Sequence, residues 1–540
     1  MQQRPSFILL AALAFLLSAY GAQSLPLSTN GRWVVDAATG GRVKLRCVNW
    51  VAHMPAVLPE GLDRRPLDAI AATVASLGFN CVRLTWATQL WTDDGRYGRL
   101  TVAGSLGSLG LHGAIEGIAR NNPSMLGLAV REAYDAVVRA LGEARVMVVL
   151  DNHVSRPQWC CGRDDGNGFF GDTYFDTDEW VRGLQIVAER YRSSRQVVGM
   201  SMRNELRGPK QNKPAWYENI ALGARTIHKA NPNVLVIVSG MSFDTDLSFL
   251  AQHPLEDHYN RKLVLEAHWY AFSEGKRQEW ADRPLTEFCA GAAQRFDARA
   301  GFVTRRAKHP VPLFVSEFGV DQRGTSRADN QFLSCFLAFA AERDLDWALW
   351  ALQGNYYWRN GVEGFEETYG VLDVSWDRPK NPRFRERFGL IQHMLQDPRS
   401  TTASYQLIYH PPSGQCLTVD GANNALLSDC EQRAKWNHSG DGTPFFLSSG
   451  GGRPLCLRAA GEEKAVRLSE ECDDMLSSWR VGSSSGFGIV GTDEEGRELC
   501  LERGSVNSSA LVTRKCLCAD ESDCSDDQRP QWFKIIPSNI

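Results

Sequence analysis

The sequence has almost no excess charge of either sign and only one long apolar run, and both features exclude classes of protein. Its 540 residues hold 59 basic and 63 acidic side chains, for a formal net charge of −4. Such a balance gives no reason to expect nucleic acid or an anionic membrane as partner. The apolar run lies at residues 7–19, and no later segment is apolar enough to cross a bilayer.

The N-terminal run is typical of a secretory signal peptide. Arg4 precedes it, and small residues such as Ala22 and Ser24 follow it. A membrane anchor is the alternative, but the run is short and no basic stop-transfer segment follows. We expect a signal peptide at residues 1–24 and a protein secreted outside the cell or into the cell wall. Fourteen cysteines fit an oxidising compartment, and Asn437 and Asn507 begin N-glycosylation patterns, with unmodified asparagines as the alternative.

Cysteine density divides the chain into two parts. Residues 25–400 contain six cysteines and residues 401–540 contain eight, and the polar stretch 397–404 between them is typical of a short linker. We therefore predict two domains, 25–400 and 401–540, in a monomeric chain. Apolar residues make up 43% of the chain, an ordinary value for a globular protein.

The first part alternates short apolar runs with longer amphipathic segments. Segments such as Met125–Leu141, Asp178–Tyr191 and Ala328–Glu342 predict helices. The runs are mostly continuous, as in strands buried on both faces of a parallel sheet. The eight predicted strands are Val43–Asn49, Asn80–Trp86, Val146–Asn152, Val197–Arg203, Val234–Gly240, Leu263–Trp269, Leu313–Phe318 and Asp346–Leu352. This pattern predicts the α/β class and a (β/α)₈ TIM barrel, with a doubly wound open sheet as the alternative.

The second part repeats internally three times. Each unit has a Cys-Leu pair, a second cysteine 14 or 16 residues after the first, and a later tryptophan. Three such units predict one all-β domain with a shared core. The natural disulfide pairing lies within each repeat, although spacing alone does not settle connectivity: Cys416–Cys430, Cys456–Cys472 and Cys500–Cys516.

Polar residues end the predicted barrel strands, where a barrel enzyme builds its active site. They include Arg83, Asp151, His153, Asn204, Glu205, Glu266, His268, Tyr270, Glu317 and Trp350. Glycosidic bond cleavage needs one carboxylic acid at the leaving oxygen and a second carboxylate at the anomeric carbon. Glu205 and Glu317 end the fourth and seventh strands, across the barrel from each other, and suit these two positions.

The neighbouring residues fit the same chemistry. Asn204 is placed to bind a sugar hydroxyl at C2, Tyr270 to donate to a carboxylate, and Arg83 to favour the ionised form of Glu317, so that the two glutamates differ in pKa. Purely structural interpretations also exist. Glu205 alone would pair with Arg203, and each histidine would only support its neighbours. Asp151 and Glu266 lie upstream of the strand tips, and we expect them to support the site.

This set resembles glycoside hydrolase family 5, the (β/α)₈ retaining enzymes related to cellulases and mannanases, over residues 30–395. The family uses an Arg, a His, an Asn-Glu pair, a His with a Tyr two residues on, a Glu and a Trp. The matching residues, in chain order, are Arg83, His153, Asn204, Glu205, His268, Tyr270, Glu317 and Trp350. The resemblance implies that Glu205 is the acid/base, Glu317 the nucleophile and Trp350 a stacking platform, with no metal and no cofactor.

The loop after the third strand has less familiar features. Adjacent Cys160 and Cys161 would anchor it to two distant places, with Cys47, Cys81, Cys289 and Cys335 as candidate partners. The aromatic residues Trp159, Phe169 and Phe170 either line a sugar subsite or pack the loop's own core.

The second part resembles the ricin-B-type β-trefoil. Such domains often bind sugar through an Asp two residues after the first cysteine of a repeat, but here that position holds Thr418, Arg458 and Glu502. We expect a structural or substrate-orienting role, and Glu502 remains the best ligand candidate.

The sequence therefore predicts a secreted retaining glycoside hydrolase that acts by double displacement on a β-linked glucan, a mannan or a smaller β-glycoside. A non-catalytic carbohydrate-binding protein and a transglycosylase on the same scaffold are the alternatives. One further hypothesis is that the long loops narrow the cleft.

Overall fold

A computed structural model describes residues 26–255, 260–448, 453–504, 509–517 and 527–540. The predicted signal peptide and Asn507 lie outside the described residues. Within the described ranges, no helix combines the length and the apolar content that a membrane crossing requires.

A two-stranded hairpin, β1 (Leu27–Asn30) and β2 (Trp33–Asp36), precedes a closed barrel of eight strands. Each barrel strand runs parallel to its neighbours, and the last pairs with the first. The eight strands are β3 (Arg46–Trp50), β4 (Cys81–Ala87), β5 (Met147–Val154), β6 (Val197–Ser201), β7 (Leu235–Ser239), β8 (Leu263–His268), β9 (Leu313–Phe318) and β10 (Asp346–Leu349). The predicted TIM barrel is confirmed, and its closure rules out the open sheet.

The strands lie where the apolar runs predict them, with ends shifted by a few residues. The first run begins earlier than β3 because Val43 and Leu45 pack with Leu27 and Val34 of the hairpin in the apolar cluster at the amino ends of the strands. This packing buries Val43 and Leu45, although both precede the first residue of β3 that pairs in the barrel. The carboxyl ends of the strands, which carry polar residues, lie at the other end.

Helices surround the barrel with their apolar faces inward. The predicted segments are observed as α6, α7 and α11, while the stretch between β4 and β5, which has no clear sequence periodicity, contains four short helices. The helices are α1 (Leu67–Ser76), α2 (Thr88–Thr92), α3 (Asp94–Tyr97), α4 (Val102–Ser108), α5 (His112–Asn121), α6 (Val130–Glu143), α7 (Thr177–Arg190), α8 (Lys213–Ala230), α9 (Arg277–Asp282), α10 (Leu285–Arg299), α11 (Arg327–Arg343) and α12 (Phe384–Gln392).

The chain beyond the barrel is all-β. A small hairpin, β11 (Trp358–Arg359) and β12 (Val362–Glu363), belongs to the loop after β10. The described residues between 405 and 540 form three antiparallel sheets, and disulfides join the three pairs of cysteines that the repeat predicts. Their strands are β13 (Tyr405–His410), β14 (Gln415–Val419), β15 (Ala425–Ser428), β16 (Phe446–Leu447), β17 (Leu455–Arg458), β18 (Arg467–Ser469), β19 (Arg480–Val481), β20 (Ile489–Thr492), β21 (Glu498–Arg503), β22 (Leu511–Lys515) and β23 (Lys534–Ser538).

The β-sheets pack directly on the barrel. Tyr405, Leu407 and Ile536 belong to the same apolar cluster as the barrel helices. The segment between the two parts is also tied down, because the backbone N–H of Asp397 donates to Asn539 Oδ1 at 2.9 Å.

Candidate active site

The eight residues of the predicted set meet at the carboxyl end of the barrel. Seven of them line a cavity of about 690 Å³, and Arg83 lies fully buried beneath it. The parallel strands bring them together, since residues far apart in sequence end neighbouring strands: His268 on β8 is in register with Glu317 on β9. The seven are His153, Asn204, Glu205, His268, Tyr270, Glu317 and Trp350.

Glu317 is held by groups that favour its ionised form. Arg83 Nη1 donates to Glu317 Oε1 at 2.9 Å, and the hydroxyl of Tyr270 donates to Oε2 at 2.9 Å. The side chain is only 7% exposed. A cation and a donor on a buried carboxylate stabilise its negative charge.

Within the described part of the chain, no lysine or arginine pairs with the carboxylate of Glu205. His268 Nδ1 lies 2.9 Å from Glu205 Oε1, and the backbone N–H of Glu205 donates to Asp244 Oδ2 at 3.0 Å. The φ of Glu205 is +45°, in the left-handed region that L-residues rarely adopt. Its neighbours therefore hold a strained backbone that points this carboxyl into the cavity.

The two carboxyl groups form one buried cluster. Carboxylate oxygens of Glu205 and Glu317 and a ring nitrogen of His268 all lie within 4.8 Å of one another. Burial raises the pKa of Glu205 to about 7, with Arg207 and Arg83 opposing it. Burial likewise raises the pKa of Glu317 to about 7, against the charges of His268 and Arg83. Burial thus raises the pKa of both carboxyl groups, and the two groups differ in their contacts.

Arg83 organises the acidic groups below the cavity. Besides Glu317, it contacts Asp151 at 3.0 Å and Glu266 at 3.6 Å. Burial alone would lower the pKa of Arg83, but these carboxylates outweigh it and raise that pKa. Asp151 also lies 2.7 Å from His153 Nδ1. Asp151 and Glu266 therefore support the site residues from beneath.

Asn204 is oriented by the same arginine. Arg83 Nη2 donates to Asn204 Oδ1 at 2.9 Å, which turns the amide Nδ2 into the cavity. Arg203, the alternative partner for Glu205, instead donates to Asn152 Oδ1 and to the carbonyl of Asn167. The strand-end glutamate is therefore not one half of an Arg203 ion pair.

The loop after β5 corrects the predicted cysteine pairing. Cys160 and Cys161 are disulfide-bonded to each other, and the other barrel disulfides are Cys47–Cys81 and Cys289–Cys335. The pairing to distant partners was wrong, because β3 with β4 and α10 with α11 already bring those cysteines together.

The aromatic residues of this loop divide between two roles. Trp159 lines the cavity, whereas Phe169 and Phe170 are buried: Phe169 packs on Phe170, which also packs with Phe175 and Trp180. Only Trp159 is therefore placed to contact a ligand in this cavity.

Several site residues were missed in the sequence. Asp244 follows β7, a strand for which the sequence analysis predicts no site residue. Its position after the end of a barrel strand is the signal that marks it. Arg359 and Glu367 line the cavity from the long loop after β10. No sequence pattern marks them, because tertiary contacts alone place this loop over the barrel mouth.

Comparison with known proteins agrees with this geometry. The model of the Cellulase family (glycosyl hydrolase family 5) matches residues 47–356. A glycosyl hydrolase 5 family protein from Chamaecyparis obtusa is 45% identical over 98% of this chain and 96% of its own length. The chain belongs to glycosyl hydrolase family 5.

The chain is also similar to more distant proteins, one by sequence and two by solved structure. An endoglucanase from Paenibacillus polymyxa is 21% identical over 70% of this chain and 93% of its own. The catalytic domain of the major endoglucanase from Xanthomonas campestris pv. campestris has a TM-score of 0.53 at 21% identity and covers 68% of this chain and 98% of that one. An endocellulase from Pyrococcus horikoshii with cellotetraose has a TM-score of 0.54 at 17% identity, covering 69% and 100%. These structures show the fold.

Two clusters of this family 5 site have donor atoms close enough for a metal ion. One is Glu205, His268 and Glu317, and the other is His153 with Cys160 and Cys161. In the second cluster the sulfurs are joined in a disulfide, so they offer no thiolate to a metal. The contacts of the first cluster are those that carboxylate chemistry on a sugar requires.

The sugar-ligand candidates of the C-terminal sheets are already engaged by the protein. Glu502 is 5% exposed; Arg514 donates to its Oε1 at 2.9 Å and Gln531 to its Oε2 at 2.8 Å. Arg458 pairs with Asp474, and the Thr418 hydroxyl donates to a backbone carbonyl. The Glu502 carboxylate therefore already has two partners within the protein, and its role as a sugar ligand stays a prediction.

Proposed function

We propose that the chain is a retaining glycoside hydrolase that cleaves β-O-glycosidic bonds by double displacement. The observation that carries this proposal is the close approach of the Glu205 and Glu317 carboxylates, whose oxygens lie within 4.8 Å. Retaining enzymes place these groups about 5–5.5 Å apart, whereas inverting enzymes leave about 6.5–9.5 Å for a water molecule.

In the first step, Glu317 attacks the anomeric carbon while Glu205 protonates the leaving oxygen. The C1–O bond breaks, the leaving group departs with the proton, and Glu317 becomes a glycosyl ester. Arg83 and Tyr270 stabilise the ionised form of Glu317, which is the form that attacks. Burial raises the pKa of Glu205 and keeps its proton available near neutral pH.

In the second step, water replaces the enzyme at the anomeric carbon. Glu205, now ionised, takes a proton from this water while the water oxygen bonds to C1. The ester bond to Glu317 breaks, and Glu317 leaves as a carboxylate. The configuration at C1 has then been inverted twice, once in each step, so the sugar keeps its β-configuration. The amide of Asn204 is placed to bind the 2-hydroxyl, a contact that strengthens in the transition state.

Replacing Glu317 with Gln tests the assignment. We expect hydrolysis of aryl β-glucosides and β-mannosides to fall by roughly 10⁴-fold or more with the fold unchanged, because glutamine cannot form the glycosyl ester. The exposed Glu363→Gln at the same end of the barrel serves as control. Undiminished activity of Glu317→Gln would refute the assignment, and an α-anomer as first product by NMR would refute retention.

The substrate class we propose is a β-linked glucan, a mannan or a smaller β-glycoside. The endoglucanases among the relatives support a β-glucosyl bond. Cellotetraose in the Pyrococcus horikoshii structure agrees with a β-linked sugar as ligand of such a barrel.

We further propose that the protein is secreted and that its C-terminal sheets form a ricin-B-type trefoil with a structural role. Six disulfides among the described cysteines support an oxidising compartment. The threefold recurrence of a disulfide and the buried Trp436, Trp479 and Trp532 support the trefoil. The mass of the mature protein tests secretion. We expect the mass of a chain that has been cleaved near Ala22.

A further inference from the structure

The cavity occupies only part of the barrel mouth. Among the described residues, its wall comes from the loops after the last six barrel strands, β5 to β10. The loop after β3 contributes nothing to it, and residues 51–62 of that loop are almost entirely buried. Another segment of the chain therefore covers the carboxyl ends of β3 and β4.

The loop after β10 provides this cover. Its Tyr357 accepts a hydrogen bond from the backbone N–H of Leu62 at 3.0 Å and donates to the carbonyl of Pro59 at 3.0 Å. The backbone N–H of Tyr357 also donates to Glu60 at 2.6 Å. From the other side, Ser105 of α4 donates to the carbonyl of Ala56 at 2.7 Å. The loops after β3, β4 and β10 thus form one packed layer.

A bridge of side chains extends this layer across to the loop after β5. The Arg359 guanidinium lies 3.4 Å from the centre of the Trp159 ring, and Tyr356 contacts that ring edge-on. Arg359 also pairs with Glu367 at 3.0 Å. Glu367 is 5% exposed and accepts hydrogen bonds from Tyr356 and the backbone of Tyr369. The bridge is therefore fixed at both ends.

The Cys160–Cys161 disulfide continues this wall down to the reacting centre. Asn204 Nδ2 lies 3.7 Å from Cys160 Sγ and 3.5 Å from Cys161 Sγ. This amide is the proposed partner of the sugar 2-hydroxyl. The wall therefore borders the reacting sugar directly, without space for another sugar between the disulfide and Asn204.

The chemistry decides which half of the substrate faces this wall. Glu205 protonates the leaving oxygen, so the leaving group lies on its side, towards the loops after β7 and β8. There Ser242 and Phe272 are exposed, and the Phe272 ring stacks on Tyr270 at 4.6 Å. The reacting sugar lies against Glu317, Asn204 and Trp350, whose apolar cluster includes Trp159 and Tyr356.

We propose that the enzyme is exo-acting and removes one β-linked sugar from the non-reducing end of a glycoside. Arg359 and Glu367 face the cavity where a longer chain would continue, and they bind the hydroxyls of the terminal sugar instead. The leaving group extends over Phe272 and is free to vary. This inference rests on the proposed function, since it uses the roles of Glu205 and Glu317.

Product order on labelled oligosaccharides tests the proposal. Full-length enzyme is incubated with cellotetraose and mannotetraose labelled at the reducing end, and with aryl β-mono- and β-disaccharides. We expect unlabelled monosaccharide as the first product, labelled chains shortened one sugar at a time, and direct aryl release at least roughly tenfold faster from monosaccharides. Early unlabelled di- or trisaccharides would overturn the exo assignment. No hydrolysis of any β-glycoside would instead overturn the proposed function.

Variants of the bridge locate the closure. Trp159→Ala removes the ring between the two loops, and we expect disaccharide to appear among its first products. Arg359→Ala should act in the same way if Trp159→Ala fails to fold. Trp358→Ala is the matched control, because this neighbouring tryptophan is 36% exposed and lies outside the bridge. Identical products from both bridge variants and the control would overturn the role of the bridge.

Discussion

At the scale of single residues, one buried cation and one phenol determine how the acidic cluster is charged. Asp151, Glu266 and Glu317 all lie within 3.6 Å of Arg83. Since one arginine cannot neutralise three carboxylates, protons remain on the cluster near neutral pH. The pKa values that a pH–rate profile reports therefore belong to the cluster as a whole.

Replacing Tyr270 with Phe should shift that profile. The hydroxyl donates to the ionised form of Glu317, so its loss raises the pKa of Glu317 above its value of about 7. We expect the acidic limb of kcat/KM to move to higher pH and the maximum to fall by roughly 10–100-fold, the loss of one charge-assisted hydrogen bond. An unchanged acidic limb in the initial-rate profile would contradict this role.

Replacing Glu205 with Gln should stabilise the fold only at higher pH. Burial raises the folded pKa of Glu205 from 4.5 to about 7, so the unfolded chain loses this proton first as pH rises. Stability therefore falls between these two values, by about 3 kcal/mol in total, and glutamine avoids this loss. Thermal unfolding should show a higher Tm for Glu205→Gln at pH 8 and no difference at pH 4. An equal difference in Tm between the variant and the unchanged protein at pH 4 and at pH 8 would argue against a raised pKa of Glu205.

Strand ends explain which site residues the sequence predicts and which it does not. His153, Glu205 and Glu317 follow apolar runs, and parallel strands necessarily bring such residues to one end of the barrel. Arg359 and Glu367 lie 9 or more residues beyond Trp350, in a loop with no periodicity. Tertiary contacts of this loop, such as those of Tyr357 with Glu60 and Pro59, place them at the cavity.

At the scale of elements, the loop after β5 is tied to the backbone of Glu205. Arg207 donates to the carbonyl of Glu205 at 2.8 Å, to the carbonyl of Gly162 at 2.8 Å and to Asp165 at 2.6 Å. One buried side chain thus sets the position of the disulfide loop relative to the acid/base. The sequence suggested that long-range disulfides hold this loop, but an arginine fork does so.

Removing two barrel disulfides should separate catalysis from stability. Cys160→Ala with Cys161→Ala removes part of the cavity wall, so we expect a higher KM and little loss of Tm, since adjacent residues close almost no loop. Cys289→Ala with Cys335→Ala opens a link between residues 46 apart and should cost about 4 kcal/mol without changing KM. If the first pair lowered Tm and left KM unchanged, the disulfide would be structural only.

At the scale of the whole molecule, the C-terminal sheets complete the apolar surface of the barrel. Trp532 and Phe487 share a cluster with helices α10 to α12, and the Ser538 hydroxyl donates to the carbonyl of Leu395 at 2.8 Å. The sequence predicts two parts and the repeat in the second. The sequence contains no signal that the two parts dock. The residues at their contact are apolar, and in the sequence they cannot be told from residues buried in the core of one part.

Gly414, in the turn between β13 and β14, lies against the backbone of α12, and replacing it with Ala should loosen the two parts. Its φ is +79°, and a Cβ there would lie 2.1 Å from the carbonyl oxygen of Glu386 in α12, so either the turn or the helix must move. We expect a loss of about 2–4 kcal/mol, a lower Tm and faster proteolysis at residues 397–404, with aryl glycosidase activity retained at low temperature. Gly421→Ala is the control, because nothing lies within 4 Å of its Cβ position. A rigid interface cannot absorb the overlap of the new Cβ with Glu386. Equal Tm and equal proteolysis of the two variants would therefore mean that the docking of the sheets on the barrel does not depend on this contact.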